Sequence, residues 1–443
     1  MSALGDGTKR NKGPTQNQIL RTRKGLHAAL GLSFEDRTSG LTQLEPDLYE
    51  GWVKQAGDLE VDVAEWLRGG TPMGIEAQMV PRGVFPPVDE STPVHERRPL
   101  DYYHDDFKNY KSLEEDPQGL DALQDLVNNG FVKEFTSYKA LLKYLDGLKP
   151  VTSKLAVVKN VSEGVTKYRL ILDCRVSGSN DAASRQERIL LPKAWDIIRD
   201  VMALKKQCRD NEEVFLFVLD FRDAFYMLPL LANERRYYTA YHEGRWYVWD
   251  RVAQGSLNGP NAFGRLSALT GRMTQAMMNG TGARTQIYTD DPCTVLKGTV
   301  REVRRNIAIM VMFWLALGWG LSFHKGQWGR EADWIGYNIK IHSDRVEATI
   351  KEAFMTDFAR DVAYMLRQRR IQVQDLQSFT GRTNHIANLL YAWRPFISDL
   401  WGAIYERRRA GDNRVWAKQI SATLAWLSIF LSRQRGSLKR EWL

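Results

Sequence analysis

The chain has 443 residues, 43% of them hydrophobic, which is enough for two or three packed subdomains. Its three cysteines stand far apart, which argues against a disulfide framework or a structural zinc and favours a reducing compartment. The N-terminus has no apolar signal segment, and the longest apolar run, 307–317, is about half the length that spans a bilayer. We therefore expect an intracellular protein of the cytoplasm or nucleus, neither secreted nor bound to a membrane.

The net charge of +9 is concentrated towards the C-terminus. Residues 361–443 contain twelve Arg and two Lys against four Asp and two Glu, an excess of eight positive charges. Such a basic segment is typical of proteins that bind a polyanion such as nucleic acid. A well-solvated helical surface has the same composition, so charge alone leaves both interpretations open.

Residues 1–20 are polar and predict disorder. The rest of the first 117 residues mixes short helical patterns with a Pro-rich passage, so we expect an N-terminal extension that is partly disordered. An amphipathic pattern then predicts a helix that ends near Gly130. The stretches "SKLAVVKN" and "TKYRLILDCRV" alternate as the strands of a hairpin that carries Lys159 and Arg169. The continuous apolar run "EEVFLFVLDF" predicts a strand that is buried on both faces and ends at Asp220.

Further along, "RRYYTAYHEGRWYVW" predicts an aromatic hairpin that turns at residues 242–244. A helical pattern follows, and then the short strands "TQIY" and "CTVLK" flank two adjacent aspartates, Asp290 and Asp291. A helix over 300–317 and a strand, "DWIGYNIKI", come next, and from Lys351 the pattern is almost entirely helical. The chain thus predicts a mixed body of strands and helices with a helical C-terminal part.

The adjacent aspartates need either a solvent-exposed turn or a cation, because neighbouring carboxylates repel each other and are costly to bury. We expect the tight turn to fall on the aspartates with both side chains at its tip, and Pro292 favours this because proline cannot donate to a strand ladder. Asp220, at the end of a buried strand, adds a third carboxylate and favours an oxygen site for a hard cation such as Mg²⁺. Both interpretations hold if the aspartates are ligands at a turn.

Five ordered segments resemble the palm motifs of reverse transcriptases from retroviruses and LTR-type retrotransposons: "VLDFRDAFYMLPL", "AQGSLNGPNAF", "IYTDD", "LGWGLSFHKGQWG" and "DWIGYNIKI". Upstream, "KLAVVKN" and "KYRLILDCRVSGSN" are similar to the fingers hairpin of the family, and "ILLPKAWDII" to the entry into the palm. Downstream, residues 375–404 are similar to the thumb or connecting helices of DIRS-like retroelements. The resemblance covers residues 118–405.

The resemblance implies that Asp220, Asp290 and Asp291 form the catalytic triad and bind two Mg²⁺ ions, for which Mn²⁺ can substitute. Two such ions activate a 3′-hydroxyl and stabilise the leaving pyrophosphate. Lys325 matches the lysine that protonates the pyrophosphate, although loop lysines are usually just exposed. The implied partners are dNTPs and an RNA or DNA template-primer duplex.

The resemblance also implies the residues that bind the nucleotide. Lys159 and Arg169 match the fingers cations that grip its phosphates, whereas without the palm motifs a solvated hairpin explains them. Gln254 and Gly255 match the segment that lines the nucleotide and template, where glycine lets the backbone come close.

Asp223, Ala224 and Phe225 follow Asp220 and match positions of the family next to the sugar and triphosphate of the nucleotide. Asp223 lies three positions after Asp220. Side chains that far apart on a strand point to opposite faces, so Asp223 is a poor metal ligand. The resemblance implies that the Asp223 and Ala224 amides approach the triphosphate, and the alternative is that Asp223 caps the turn. Phe225 matches a bulky aromatic that clashes with a 2′-hydroxyl and so favours DNA synthesis. The alternative is that Phe225 is a core aromatic.

Some residues depart from the family pattern. Pro292 and Cys293 stand where the family has a β-branched or leucine pair, so we expect the second strand of the hairpin to start late. Ala253 and Ser256 also differ, which concerns fidelity and template contacts more than activity.

We therefore predict an α+β protein with the architecture of a right-hand polymerase. Its parts are an N-terminal extension (1–117), fingers and the entry to the palm (118–212), a palm with an antiparallel sheet (213–345) and a helical basic thumb or connection (346–443). The predicted function is that of an RNA-directed DNA polymerase, a nucleotidyltransferase. The alternatives are an RNA-dependent RNA polymerase, which Phe225 opposes, a group II intron maturase, and an inactive nucleic-acid-binding relic, which the intact aspartates oppose.

Overall fold

The computed structural model describes residues 13–35, 40–88, 98–103, 107–114, 117–162, 165–409, 413–434 and 438–443. It consists of helices and antiparallel sheets, as the sequence predicts. Of the residues predicted to be disordered, 1–12 lie outside the described residues, whereas 16–20 form the first turns of a helix, so the prediction is wrong for them. Among the described residues, no helix is long and apolar enough to cross a membrane.

The N-terminal extension contains the helices α1 (Gln16–Ala29), α2 (Pro46–Ala56) and α3 (Val63–Gly69). A capping box starts α1, in which the side chains of Thr15 and Gln18 each accept the other's backbone N–H. Helix α2 has Pro46 in its first turn and stops at Gly57, whose φ of 63° is left-handed. Local capping chemistry therefore sets the start of α1 and the end of α2.

The next segment carries the predicted two-stranded hairpin. Its elements are α4 (Lys111–Glu114), α5 (Pro117–Asn128), β1 (Val132–Phe135), α6 (Tyr138–Tyr144), β2 (Lys154–Ser162), β3 (Val165–Asp173), α7 (Ser179–Ala182) and α8 (Ala194–Lys205). In the β2–β3 pair, Lys159 lies opposite Tyr168, and Val158 lies opposite Arg169. Because neighbouring strand residues alternate between faces, Lys159 and Arg169 leave opposite faces of the hairpin.

The middle of the chain contains β4 (Glu213–Val218), β5 (Phe221–Arg222), β6 (Thr239–His242), β7 (Arg245–Trp249), α9 (Gly259–Met277), β8 (Ala283–Tyr288), β9 (Asp291–Gly298) and α10 (Val300–Ala316). The aromatic hairpin β6–β7 pairs with β1 in the order β1-β7-β6. The sequence predicts that the buried strand extends to Asp220, but β4 ends at Val218 and the next strand, β5, begins at Phe221. Asp220 therefore lies in the short link between β4 and β5, outside the paired strands.

The remaining elements are β10 (Gly320–Leu321), β11 (Gln327–Gly329), β12 (Glu331–Trp334), β13 (Tyr337–Ile341), β14 (Val346–Ile350), α11 (Glu352–Arg367), β15 (Arg370–Gln372), α12 (Val373–Leu389), α13 (Arg394–Arg409), β16 (Arg414–Trp416), α14 (Ser421–Gln434) and β17 (Lys439–Trp442). The stretch "DWIGYNIKI", expected as one strand, is the hairpin β12–β13, because Ile335 and Gly336 both have positive φ. The C-terminal part is helical with short strands, and β17 pairs with β14.

A central antiparallel sheet with the order β11-β4-β9-β8 separates two hydrophobic cores. Alternate residues of β4 enter different cores, as the period of two in a strand requires. Phe215 and Phe217 pack in the first core. Leu216 and Val218 pack in the second core together with residues of β12–β14 and the C-terminal helices. The apolar run of β4 is thus buried on both faces.

The N-terminal extension packs into the first of these cores. Leu48 and Trp66 share that core with the central sheet. A fully buried ion pair joins Arg265 of α9 to Glu60, with Nε 2.8 Å from Oε1, and Arg272 lies 2.7 Å from Asp58. Residues 40–88 therefore belong to the same packed body as the central sheet.

Candidate functional site

Beyond the end of β4, the chain stays bound to the β8–β9 hairpin. The Leu219 N–H donates to the Pro292 carbonyl at 3.2 Å, and the Phe221 N–H donates to the Asp290 carbonyl at 2.8 Å. These bonds continue the antiparallel register of β4 with β9 for three residues past the last ladder pair. The link after β4 is therefore held against the tip of the hairpin.

Asp220 and Asp291 lie opposite each other between these two bonded pairs. A position flanked in this way is a non-hydrogen-bonded pair, in which opposing side chains come closest. The other side of Asp220 is also fixed, because the Ser322 N–H donates to its carbonyl at 2.9 Å. The side chain of Asp220 is only 13% exposed. Two elements far apart in sequence thus bring their carboxylates to one edge of the sheet.

The turn of the hairpin lies one residue earlier than the sequence predicts. Tyr288, the last residue of β8, pairs with Asp291, the first of β9, so the loop consists of Thr289 and Asp290. The expectations that both aspartates form the tip and that the second strand starts late are wrong. Thr289 takes the left-handed turn conformation instead, and Pro292 fits within β9 because its carbonyl serves as an acceptor there.

The three carboxylates of this edge, Asp220, Asp290 and Asp291, act on one another electrostatically. Burial, and then the charges of Asp290 and Asp220, raise the pKa of Asp291 to about 6, while Lys325 acts in the opposite direction. The Lys325 ammonium lies 2.6 Å from Oδ1 of Asp220. A site that repels its own negative charge favours a cation, and Lys325 supplies one.

The donor set suits a hard divalent cation, because every donor is a carboxylate oxygen. Within the described part of the chain, no group of three or more His, Cys, Asp and Glu side chains is spaced to hold a metal ion as it stands. The Lys325 ammonium group lies against Asp220 and offsets part of the negative charge of this edge. The residues fit a divalent cation by their chemistry and charge.

The loop that carries Gln254 and Gly255 contacts the β2–β3 hairpin. Gln254 is exposed, and Gly255 has a φ of 117°. A Cβ at Gly255 would clash with the Leu172 carbonyl of β3, and the Asn180 amide donates to the Gly255 carbonyl at 2.9 Å. The backbone at Gly255 therefore packs closely against β3, and its approach to a nucleotide and template stays a prediction.

The residues after β5 form a tight 3-10 turn over 224–227. Asp223, which precedes it, is left-handed with a φ of 54°, and its side chain makes no capping hydrogen bond and lies 3.5 Å from Arg222. The Asp223 side chain therefore does not cap this turn. Ala224 is buried, and the half-buried ring of Phe225 stacks on Phe263 with a centroid distance of 4.8 Å.

Two residues that the sequence analysis missed support the aspartates. The Thr289 hydroxyl lies 2.8 Å from Oδ1 of Asp290. The Trp334 indole N–H donates to the Asp291 carbonyl at 3.0 Å. A hydroxyl next to the carboxylate is a signal that sequence analysis can use for Thr289, but no local pattern joins Trp334 to a residue 43 positions away.

No protein-family model and no curated protein matches the sequence. Among solved structures, the fold is similar to foamy viral protease-reverse transcriptases. One is the dRH form in complex with double-stranded DNA, at 20% identity and a TM-score of 0.46, covering 79% of this chain and 52% of that chain. Another, in complex with an RNA/DNA hybrid, has 15% identity, a TM-score of 0.46 and coverages of 95% and 47%.

A third foamy viral protease-reverse transcriptase, in complex with double-stranded DNA, has 18% identity, a TM-score of 0.46 and coverages of 96% of this chain and 72% of that chain. The chain spans about half the length of the first of these structures. At these identities and TM-scores the likeness transfers no activity, substrate or partner to this chain.

Proposed function

We propose that this chain is an RNA-directed DNA polymerase, a reverse transcriptase of an LTR-type or DIRS-like retroelement, which extends a primer on an RNA or DNA template with dNTPs. The observation that carries the proposal is the register beyond β4, in which Asp220 lies opposite Asp291, with Asp290 in the adjoining turn. The order of the five sequence motifs supports it.

Asp220, Asp290 and Asp291 are the residues that would hold two Mg²⁺ ions, or Mn²⁺ in their place. Bound there, the ions supply Lewis-acid activation of the primer 3′-hydroxyl and neutralise charge on the leaving pyrophosphate. The chain itself holds mutually repelling carboxylates together through backbone hydrogen bonds from Leu219 and Phe221. Such positioning is the main contribution of a protein to phosphoryl transfer.

Around this site the chain has groups that suit each part of a dNTP. The half-buried Phe225, fixed by its stack on Phe263, is suited to exclude a 2′-hydroxyl. The Asp223 and Ala224 amides are assigned to the triphosphate, and Lys325 to protonation of pyrophosphate.

The proposed contacts of Gln254 and Gly255 are with the nucleotide and template. Because Lys159 and Arg169 leave opposite faces of their hairpin, we assign them to different phosphates rather than to one.

In this proposal residues 213–345 form the palm, 118–212 the fingers and the entry to the palm, and 346–443 the thumb or connection. The excess of eight positive charges over 361–443 suits the phosphates of a template-primer duplex. Residues 40–88 of the N-terminal extension brace the palm through the shared core. The proposed architecture is therefore that of a right-hand polymerase whose palm is stabilised by the N-terminal extension.

The test is primer extension on an RNA template with dNTPs and Mg²⁺ or Mn²⁺, with the double variant Asp290→Asn, Asp291→Asn beside the wild type. We expect extension by the wild type and none by the variant, with duplex binding kept by both. Extension with ribonucleotides but not dNTPs would identify an RNA-dependent RNA polymerase. Duplex binding with a steep salt dependence and no extension by either protein would identify a binding-only relic.

A further inference from the structure

Thr289 has an unusual backbone conformation for its residue type. Its φ is 52°, and among the described residues only Thr289 and Ile335 combine a branched Cβ with a positive φ. A left-handed conformation is a genuine outlier for a β-branched residue. Hairpin turns that need it usually carry Gly, Asn or Asp. Conformation alone therefore does not explain a threonine at this position.

The hydroxyl group of Thr289 contacts the proposed ligand beside it. Its Oγ1 lies 2.8 Å from Oδ1 of Asp290 and 2.7 Å from the Tyr288 carbonyl. A hydroxyl has one proton to donate, and a carboxylate accepts a stronger hydrogen bond than a neutral carbonyl. A hydrogen bond to Oδ1 restricts the rotation of the Asp290 carboxylate and therefore the directions that Oδ2 can take.

The backbone of Asp290 is fixed independently of this hydroxyl. Its carbonyl accepts the Phe221 N–H at 2.8 Å, which ties it to the strand link that carries Asp220. The main chain thus places Asp290 beside Asp220, and the Thr289 hydroxyl orients the side chain. A strained residue whose side chain holds a functional group is a recurring feature of active sites.

We propose that Thr289 is a positioning residue that orients the Asp290 carboxylate for a divalent cation. The inference rests on the proposed function for the identity of the ligand set, but its geometry is independent of the reaction. Partners that orient a metal ligand typically change metal affinity or activity by about 10–100-fold when they are removed. The alternative is that the hydroxyl only closes the turn onto the Tyr288 carbonyl.

The test is Mn²⁺ titration of the full chain, with free Mn²⁺ followed by electron paramagnetic resonance and thermal unfolding measured in parallel. Thr289→Val keeps the branched shape and removes the hydroxyl, Thr289→Ser keeps the hydroxyl, and Thr289→Gly removes both the hydroxyl and the strain. Asp290→Asn defines the binding that depends on Asp290. The matched control is Thr285→Val on β8, the strand that leads into the turn, whose hydroxyl lies 3.0 Å from that of Thr294.

We expect Thr289→Val to weaken Asp290-dependent Mn²⁺ binding by about tenfold or more, and Thr289→Ser and Thr285→Val to bind as the wild type does. Thr289→Gly should unfold at a higher temperature and yet bind Mn²⁺ more weakly, a divergence that a merely structural role does not produce.

Wild-type affinity in Thr289→Val or Thr289→Gly overturns the positioning role, and so does a wild type whose Mn²⁺ binding is unchanged by Asp290→Asn. If the Thr289 effects hold while the wild type extends no primer, the proposed function fails and the positioning role stands.

Discussion

The ammonium group of Lys325 lies 2.6 Å from Oδ1 of Asp220, although the two residues are 105 positions apart. The Lys325 side chain is 45% exposed, so packing does not confine it. It can therefore neutralise Asp220 in the free protein and move away when a cation or a nucleotide takes over that charge. The same mobility suits its proposed role at the leaving pyrophosphate.

Lys325→Gln is expected to change two measurements in opposite directions. Mn²⁺ binding by the free protein should become tighter, because a competing charge is removed from Asp220. Single-nucleotide turnover should fall by about a hundredfold or more, the usual effect of losing a general acid. The control is Lys340→Gln, which removes an equally exposed lysine from its pair with Glu331. If neither quantity changes, Lys325 is an ordinary loop lysine.

Asp291 should make stability depend on pH in the presence of a chelator. Its pKa of about 6 lies above the ordinary 3.8, so the folded protein binds the proton more tightly than the unfolded chain does. The contribution of Asp291 to the free energy of unfolding should therefore fall as pH rises from 4 to 6 and stay low above that. Allowing for its partial exposure, ionised Asp291 costs about 1–2 kcal/mol.

Asp291→Asn removes this cost. Urea unfolding should show the variant to be about 1–2 kcal/mol more stable than the wild type at pH 8 and equally stable near pH 4. A gain that does not change with pH, or a loss of stability at pH 8, would contradict the account of the carboxylate cluster.

Phe225→Ala should admit ribonucleotides. Removing the ring frees the space next to the 2′-hydroxyl, and the preference for dNTPs over ribonucleotides should fall by about 10–200-fold, the range for shape discrimination in a pocket. The ratio of kcat/KM values for the two nucleotides measures it. The control is Tyr226→Ala, since Tyr226 stacks on Phe131 with a centroid distance of 4.5 Å. An unchanged ratio in Phe225→Ala would refute the steric role.

The buried ion pair of Glu60 with Arg265 should be essential to the packing of the N-terminal extension. Both side chains have no exposed surface. Glu60→Ala leaves the buried Arg265 with Asp62, at 3.0 Å, as its remaining carboxylate partner. The loss should be about 3 kcal/mol of unfolding free energy, the lower end for a broken buried pair. Glu134→Ala, which breaks the pair with the half-exposed Arg245, should cost about 0–1 kcal/mol. Thermal unfolding compares them, and equal losses would show that residues 40–88 do not brace the core.

Local pattern was sufficient for the parts of the site that local physics determines. The apolar run of β4 is buried on both faces because each face meets a separate core, and it leads to Asp220. The strands around Asp290 and Asp291 were also predicted. Both signals depend on neighbouring residues only.

The remaining features depend on contacts between distant residues. The sequence "DDP" by itself favours a turn on the two aspartates. The turn instead consists of Thr289 and Asp290, because the register with β4 makes Asp291 a strand residue. Trp334 reaches the site from a later segment, and Glu60 pairs with a residue 205 positions away. No local pattern records such pairings.

Primer extension by Asp220→Asn tests the central claim most directly, because Asp220 comes from a different element than the hairpin aspartates. The account predicts that extension of a primer on an RNA template disappears, while folding and duplex binding remain. Asp223→Asn keeps the backbone amide that is assigned to the triphosphate and changes only an exposed side chain, so it should keep most of the activity. Extension by Asp220→Asn at the level of Asp223→Asn would contradict a site built from Asp220, Asp290 and Asp291.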